Sequence, residues 1–453
     1  MKPAGKGEST AAFAPLLPKS SGRGEDDEFG GASVSSAVFN VSTSIVGAGI
    51  MSIPAAMRVL GVGPALILIT AVAFLADVSA EFLMRYTGWS CSAPPHTYAT
   101  VMGDAFGVAG SAGLQGCVAV TTAGTLVVYL IIIGDVMCGS GEAHVGVLQE
   151  WFDRAWWNER EVALLLIVVL VLLPLALPKR VDSLRYTSAV SILLAVVFMC
   201  ISLGMSLYAL LQGTATTPRL LPDFSRLSSA FELFTAVPVI VVAFTFHFNV
   251  HSIRAELSKT SDMKVAVRVS LILCSIIYSA VGFFGYLLFG DSTMADILSN
   301  FDQNSGSRVS QLLNDAVRLS YVLHLVLVFP LLHFSLRINV DGLFFPKWRP
   351  LSSDNVRFVL LTGVLMGLLY VAAIAIPNIW TLFQFFGSTT AVCLSLIFPG
   401  AIVLRDVQGI AKRRDKALAA TMIILAVITS SIAIASNVVS SFGGKVGASR
   451  VAH

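Results

Sequence analysis

The chain has 453 residues, of which 55% are hydrophobic and only 13% are charged, and its mean hydropathy is +0.80. Soluble domains carry roughly twice that charged fraction, so the composition excludes a soluble globular protein. The net charge of +3 at pH 7 is too small to indicate nucleic acid as a partner.

The apolar residues fall into eleven blocks, each close to the ~20 residues that a helix needs to cross the hydrocarbon core of a bilayer. We number them spans 1 to 11, and they cover residues 36–58, 63–87, 111–138, 161–178, 187–211, 231–250, 265–289, 311–336, 357–376, 379–404 and 417–440. Gly61-Val-Gly-Pro64 separates spans 1 and 2, and Pro377-Asn378 separates spans 9 and 10, so each pair is a predicted hairpin. The sequence therefore predicts an all-α polytopic membrane protein whose transmembrane domain covers residues 33–440.

The two ends of the chain differ from this domain. Residues 1–32 are rich in Gly, Ser, Pro and charged side chains and cannot bury enough apolar surface to fold, so we expect a disordered tail. Leu16-Leu17 in that tail is a candidate dileucine sorting signal. Residues 441–453 are expected to form a short C-terminal tail.

The basic residues predict the orientation. With the N-terminus in the cytoplasm and loops assigned alternately, 21 of the 30 Lys and Arg residues lie on the inner side. This bias obeys the positive-inside rule. An odd number of spans then places the C-terminus on the outer or lumenal side.

Span 1 carries the most informative sequence in the chain. It is long enough to cross a bilayer, yet it contains Gly47-Ala48-Gly49 and Pro54, which weaken or interrupt helical hydrogen bonding. Free backbone groups at mid-membrane depth are tolerated only where they line a cavity or meet a ligand. The pattern predicts a broken helix at a transporter's substrate site, although a glycine-rich packing face is an alternative.

Span 6 carries a second set of interrupting residues, five spans later. Pro238 is predicted to interrupt its first half, and Phe244-Thr245-Phe246 follow near its inner end. Two broken helices five spans apart predict two five-helix halves of inverted topology, with span 11 appended. The substrate would then bind where the two broken helices face each other.

Several titratable residues lie within or beside the spans. Asp135 lies near the outer end of span 3, close to hydrocarbon, where a carboxylate is costly unless it is paired or hydrated. Arg318 is one candidate partner. His324 in span 8 is a candidate proton carrier, or else a buried structural histidine. His247 and His251 have the spacing of a metal pair, but no HExxH motif or acidic cluster accompanies them, so we predict no metal site.

Three motifs in order resemble the amino acid/auxin permease family. They are Ser35 to Ile50 with its Phe39-Asn40 pair and glycine break, Tyr129-Leu-Ile-Ile-Ile-Gly-Asp135, and His247 to Leu257. In detail the chain is most similar to plant vacuolar-type amino acid transporters, which are related to sodium-coupled neutral amino acid transporters. The resemblance implies the leucine-transporter-like fold, with 11 transmembrane helices here, and secondary active transport of amino acids.

The chain departs from the sodium-coupled relatives in span 8. Their sodium site pairs the span 1 asparagine with a threonine shortly before a proline, whereas here Val326 and Val328 precede Pro330. Asn40 is kept, but a valine has no oxygen to offer to Na⁺. We therefore expect protons rather than sodium as the coupling ion, with Asp135 and His324 as the candidate carriers and no other cofactor.

We predict a secondary amino acid transporter that works by alternating access. Its expected substrate-binding residues, at and beside the two breaks, are Asn40, Gly47, Ala48, Gly49, Ile50, Phe244, Thr245 and Phe246. Backbone amides at the span 1 break would hold the carboxylate of the substrate. Thr245 and the backbone carbonyls freed at the breaks would hold its amino group, and the two phenylalanines would contact its side chain. The alternatives are a sensor that binds without transport, a sodium-coupled or auxin-type carrier, and, least supported, an intramembrane enzyme.

The expected partners are the amino acid and the lipid bilayer, with no obligate protein partner. The sequence favours an internal membrane, the vacuole, over the plasma membrane. The reasons are the family resemblance, Leu16-Leu17, and the sequon Asn40-Val41-Ser42, which lies inside span 1 where glycosylation cannot reach it.

Overall fold

The computed structural model describes residues 33–89, 96–139, 145–178, 185–224, 230–302, 308–376 and 379–450. These residues are almost entirely helical. The α-helices, labelled α1 to α16 in chain order, are Val34–Ile45, Gly49–Leu60, Val62–Thr87, Tyr98–Cys138, Val147–Phe152, Arg160–Ile167, Leu173–Ala176, Arg185–Leu211, Ala236–Ala243, His247–Glu256, Met263–Phe289, Arg308–Phe344, Asn355–Ala375, Ile379–Phe386, Phe398–Arg405 and Arg413–Arg450. The predicted all-α fold is confirmed.

Span 4 differs from its prediction. It consists of α6, the π-helical segment Val168–Leu172 and α7, which together run only from Arg160 to Ala176. In the described residues, nine helices are long and apolar enough to cross a membrane, and the bent pair α1–α2 raises the number to ten. Span 4, at about 17 residues, is at the short end of the range that crosses a bilayer and is not among these ten, so the predicted count of eleven is not confirmed.

The first predicted hairpin is confirmed. α2 ends at Leu60 and α3 begins at Val62, so the turn is a single residue, Gly61. Its φ of 78° is in the region that glycine adopts readily, and the Gly61 N–H donates to the Met57 carbonyl (2.8 Å). The second predicted turn, Pro377-Asn378, lies outside the described residues, as do residues 1–32 and Leu16-Leu17.

Two long helices extend past the predicted bounds. α4 contains Gly107 with φ 68° and ψ −163°, a kink that separates a short helix from span 3. α16 continues beyond the predicted end of span 11 at residue 440 and reaches Arg450.

The bundle has a central layer and a lipid-facing layer. In spans 6 and 8, 78% of the most apolar window is buried inside the protein, compared with 28% in span 11. Residues 40–57 of span 1 are buried throughout. Spans 1, 6 and 8 therefore form the centre of the fold, where irregular backbone is shielded from lipid.

Candidate functional site

The break in span 1 lies between α1 and α2. Ile45 ends α1, Val46 is extended (φ −73°, ψ 103°), and α2 begins at Gly49. The two half-helices are bent by 56°. Because carbonyls at the end of α1 and N–H groups at the start of α2 have no partner within their own helix, the break concentrates polar backbone in the core.

The break in span 6 lies between α9 and α10, at Phe244-Thr245-Phe246. The Thr245 hydroxyl donates to the Val241 carbonyl (2.7 Å), so it caps its own half-helix. The predicted interruption at Pro238 is wrong. Pro238 is the third residue of α9, which follows directly on the 3₁₀-helix Ala230–Thr235, so the chain stays helical there and a proline in the first α-helical turn is tolerated.

One tyrosine joins the two breaks. The Tyr278 hydroxyl in α11 lies 2.7 Å from the Ile45 carbonyl oxygen and 2.9 Å from the Ala243 carbonyl oxygen. A phenol has a single proton, so the two carbonyls share one donor. The ends of α1 and α9 are thereby held against the same point on span 7, which confirms that the two broken helices face each other.

Two side chains of α12 cap the next carbonyls of span 1. The Tyr321 hydroxyl donates to the Gly47 carbonyl (2.6 Å), and Nε2 of His324 lies 3.2 Å from the Val46 carbonyl. On the other side of its ring, Nδ1 of His324 lies 2.7 Å from the Ser191 carbonyl and 2.9 Å from the Ser191 hydroxyl. His324 is fully buried and is the one titratable imidazole among the described residues with a hydrogen bond to a break.

The two glycines permit close approach. A Cβ at Gly47 would collide with the Tyr129 hydroxyl, and a Cβ at Gly49 would lie only 2.9 Å from both Cα and Cβ of Ala243. Glycine is therefore required for packing at both positions, whether or not either residue also contacts a ligand. The packing face that the sequence offered as an alternative and the broken helix are present together.

The remaining predicted substrate residues are all buried at or next to these breaks. Phe244 packs edge-on against Tyr278, with ring centroids 5.1 Å apart. Ala48 precedes α2, and the Ile50 N–H donates to the Gly47 carbonyl (3.2 Å). Phe246 lies directly before α10 and contacts the neighbouring His247 ring (4.8 Å).

Asn40 lies one turn before the end of α1 and is 2% exposed. Its side-chain oxygen has no hydrogen-bond partner among the described residues, although its backbone carbonyl accepts from Ser44 (2.8 Å). A buried amide oxygen without a partner is costly, so it is a candidate acceptor for a ligand.

A polar chain closes one side of the breaks. Asn249 in α10 donates to the Ser44 hydroxyl (3.0 Å) and accepts from the Ser335 hydroxyl (2.5 Å). These bonds connect α1, α10 and α12 on the side that the sequence predicts to face inwards. Because they join side chains rather than backbone, small rotations of α1 or α10 can break them.

The predicted partner of Asp135 is wrong. Asp135 pairs with Arg160 at the start of span 4 (2.5 Å), whereas Arg318 pairs with Glu150 (2.8 Å) and donates to the Val145 carbonyl (2.7 Å). The helix Val147–Phe152 brings Glu150 to Arg318, and sequence spacing gave no sign of that contact. Arg160 also lines an open cavity of about 520 Å³ at the predicted outer end of the bundle.

His247 and His251 do not converge. Nε2 of His247 lies 2.5 Å from the Ser79 hydroxyl, and Nε2 of His251 lies 2.8 Å from the Thr87 hydroxyl. Each ring is thus bound to a different turn of α3. The part of the chain that the structure describes contains no group of three His, Cys, Asp or Glu side chains that could hold a metal.

Sequence reasoning missed the three tyrosines around the breaks, Tyr129, Tyr278 and Tyr321. All three are 1% exposed or less. A buried tyrosine in a transmembrane helix must place its hydroxyl against a polar group, and broken helices are where free backbone acceptors occur. That requirement was the available signal, but it does not identify which acceptor each tyrosine meets.

Comparison with known proteins gives consistent results at three levels. A family profile described as "Transmembrane amino acid transporter protein" matches residues 30–442. The amino acid transporter AVT6C of Arabidopsis thaliana is 52% identical over 94% of this chain and 97% of its own length, and AVT6D of the same plant is 51% identical over 95% and 98%. These matches are to transporters rather than to enzymes.

Two more distant comparisons agree. Sodium-coupled neutral amino acid transporter 7 of Danio rerio is 26% identical over 84% of this chain and 80% of its own length. The crystal structure of the Eremococcus coleocola manganese transporter superposes with a TM-score of 0.57 at 14% identity, over 90% of this chain and 87% of that one. At that identity the match shows the fold alone, and the leucine-transporter-like class is confirmed.

We predict that Gly49→Val lowers amino acid uptake about tenfold or more while the protein still assembles in the membrane. A branched side chain at this position must push α2 away from Ala243, and overpacking costs ~1–3 kcal/mol. Uptake of radiolabelled amino acids into proteoliposomes, with size-exclusion chromatography to verify folding, measures the effect.

Gly367→Val is the matched control, because a Cβ at Gly367 on lipid-facing span 9 would meet nothing within 4 Å. We expect it to keep wild-type uptake. Normal uptake and affinity in a folded Gly49→Val protein would contradict the assignment of the break as the site.

Proposed function

The chain belongs to the transmembrane amino acid transporter family, and we propose that within this family it is a proton-coupled carrier that works by alternating access. The observation that carries the proposal is the position of His324. Its ring lies between the Val46 carbonyl at the span 1 break and Ser191 in span 5. A proton on this ring acts directly on the backbone that would hold the substrate.

Both protonation states of His324 find partners. A neutral imidazole has one N–H, which can donate from Nε2 to the Val46 carbonyl while Nδ1 accepts from the Ser191 hydroxyl. The imidazolium has two N–H groups and can donate to the Val46 and Ser191 carbonyls together. Protonation thus exchanges a hydroxyl contact for a carbonyl contact and tightens the link between span 5 and the break.

Sodium finds fewer ligands in the same place. Val326 and Val328, which stand where sodium-coupled relatives carry a hydroxyl, are buried, and their side chains have no oxygen. The imidazole of His324 already occupies the Val46 carbonyl. Asp135, the other candidate proton carrier, is committed to Arg160, so we assign the coupling proton to His324.

The substrate would lie across the two breaks. α2, which begins at Gly49, directs the positive end of its dipole at the break, and this suits the amino acid carboxylate. The Asn40 side-chain oxygen is a buried acceptor available to the ammonium group. Phe244 and Phe246 would contact the side chain.

Alternating access follows from contacts that can be broken on each side. The Ser44–Asn249–Ser335 chain closes the inner side. On the outer side Ser52 in α2 donates to the carbonyl of Ala295 (2.7 Å) in the loop between spans 7 and 8. Breaking one set while the other holds would expose the breaks to one side at a time.

We predict that concentrative uptake into proteoliposomes requires a pH gradient and is unchanged when choline replaces sodium. Collapsing the gradient with a protonophore should stop accumulation. In His324→Gln, accumulation should be lost while exchange of labelled for unlabelled amino acid continues, because glutamine can still donate to Val46 but cannot carry the proton.

His333→Gln is the matched control. His333 lies in the same helix, is equally buried and contacts Phe329 rather than the break. A sodium-driven current at constant pH would overturn the proposal and point to Asn40 as a sodium ligand. Tight binding with no exchange would instead indicate the sensor alternative.

We also propose a vacuolar address. The support is the resemblance to plant vacuolar-type transporters, Leu16-Leu17 in the predicted cytoplasmic tail, and the burial of the sequon residue Asn40 inside α1. A proton-coupled carrier in that membrane would export amino acids from an acidic lumen to the cytosol.

We predict that a fluorescent protein fused to the N-terminus marks the vacuolar membrane in plant cells, and that replacing Leu16 and Leu17 by alanine moves the signal elsewhere. Imaging beside a vacuolar and a plasma-membrane marker measures this. A uniform cell-surface signal of the wild-type fusion would contradict the address.

A further inference from the structure

The described part of the loop between spans 7 and 8, residues Gly290–Asp302, lies over the predicted outer end of span 1, and we call it the outer loop. Its residues Ile297 and Phe301 are 0% and 2% exposed. Ile297 occupies the space that a side chain at Gly285 would need, and the Ala295 carbonyl accepts from Ser52. The outer loop is therefore packed into the bundle like a core segment.

A chain of contacts leads from the outer loop to the break. The ring centroids of Phe301 and Phe198 lie 6.4 Å apart, and those of Phe198 and Tyr321 lie 5.3 Å apart. The Tyr321 hydroxyl in turn donates to the Gly47 carbonyl. Lifting the outer loop would withdraw Phe301 from this stack and open a path towards the break.

Asp296 is buried inside this packed loop. It is 5% exposed, and its Oδ1 accepts from the Leu298 N–H (3.0 Å). Its Oδ2 is inaccessible and has no hydrogen-bond partner among the described residues. Burial raises the pKa of Asp296 to about 7, and the negative charge of Asp135 adds to this, while the Leu298 N–H opposes it.

The charged and titratable side chains on the helices that pack against the outer loop are held by other groups. They are Asp135 bound to Arg160, Arg318 to Glu150, Asp315 to Trp151, Arg58 to the Asp291 carbonyl, Tyr286 to Arg219, Tyr321 to the Gly47 carbonyl, and His324 to Ser191. In the described part of the chain, no positive charge contacts the Asp296 carboxyl.

We propose that Asp296 is a proton-binding site that controls the opening of the outer loop. The loop closes with Asp296 protonated and neutral, and ionisation of the carboxyl draws the loop out into water. This inference rests on the proposed function, because the path that the loop covers leads to the break assigned there as the substrate site. The proton on Asp296 returns to the side from which it came and is separate from the coupling proton on His324.

The sign of the pH dependence follows from the two states. In the open loop the carboxyl is solvated and titrates near the ordinary value of ~3.9, whereas in the closed loop its pKa is about 7. Closing therefore takes up a proton, and closure is fully favoured at low pH. Between about pH 4 and pH 7 the closed-to-open ratio falls up to roughly tenfold per pH unit, and it is constant above that range.

Hydrogen exchange of the peptide covering residues 290–302, followed by mass spectrometry on the purified full-length protein, measures loop opening directly. After correction for the intrinsic pH dependence of exchange, protection of this peptide in the wild type should fall between pH 5 and pH 7 and then level off. In Asp296→Asn, which cannot ionise, protection should stay high at every pH.

Asp291→Asn is the matched control. Asp291 lies in the same loop, but its side chain is 47% exposed, and its pair with Arg219 is on the surface. This variant should keep the wild-type pH profile. Constant protection of the wild-type loop across this range would overturn the proposal even if Asp296→Asn failed to fold, and an unchanged pH profile in a folded Asp296→Asn protein would overturn it as well.

A transport measurement separates this inference from the proposed function. In Asp296→Asn, where the loop stays closed, uptake should fall and lose its dependence on outer pH at fixed gradient, and the uptake that remains should still require the gradient itself. If no variant transports amino acids and the loop still opens with rising pH only when Asp296 is present, the proposed function fails while the proton site stands. If transport is proton-coupled but protection of the loop does not change with pH, the proposed function stands and the proton site on Asp296 fails.

Discussion

The hydroxyl of Tyr278, held between the carbonyls of Ile45 and Ala243, is the contact on which the site depends. A broken helix in a bilayer leaves backbone groups whose burial without partners costs on the order of several kcal/mol each. Two such breaks are tolerable only if something satisfies them. Here one side chain, from the unbroken helix α11, lies within hydrogen-bonding distance of a free carbonyl at each break. The need to satisfy these two carbonyls therefore holds spans 1 and 6 together.

Spans 7 and 8 supply the fixed frame around these breaks. Three consecutive carbonyls of span 1 have partners there: Tyr278 meets the Ile45 carbonyl, His324 meets the Val46 carbonyl, and Tyr321 meets the Gly47 carbonyl. The tyrosines keep one protonation state under ordinary conditions, whereas histidine changes charge near neutral pH in water. A site that is satisfied by two constant donors and one titratable donor can change its backbone hydrogen bonding when a single proton arrives, which is what coupling requires.

Much of the fold could be read from the sequence because hydrocarbon imposes simple rules of length and polarity. The break in span 1 was predicted correctly, because two glycines and a proline interrupt an otherwise apolar span. A break in span 6 was also predicted, but at Pro238 rather than at Phe244–Phe246. Pro238 misled the prediction because proline disturbs a helix only beyond its first turn, and the position of that turn depends on where α9 begins. The ends of span 4 differ from the prediction by one or two residues, because apolar composition alone does not fix helix ends.

Contacts between distant segments could not be predicted in this way. Asp135 could be seen to need a cation, but several arginines lie near the outer side, and only the packing of span 4 selects Arg160. Nothing in the sequence pattern distinguishes Asp296, because its burial is created by Ile297 and Phe301, which fold the loop into the bundle. Such features depend on tertiary packing and leave no periodic trace in the sequence.

The central claim is that amino acid binding at the breaks is linked to protonation of His324. Isothermal titration calorimetry of amino acid binding, repeated in buffers of different ionisation enthalpy, counts the protons taken up per amino acid. We expect uptake of up to about one proton in the wild type, and none in His324→Gln at the same pH. Binding without proton uptake in the wild type, or the same uptake in His324→Gln, would contradict the account.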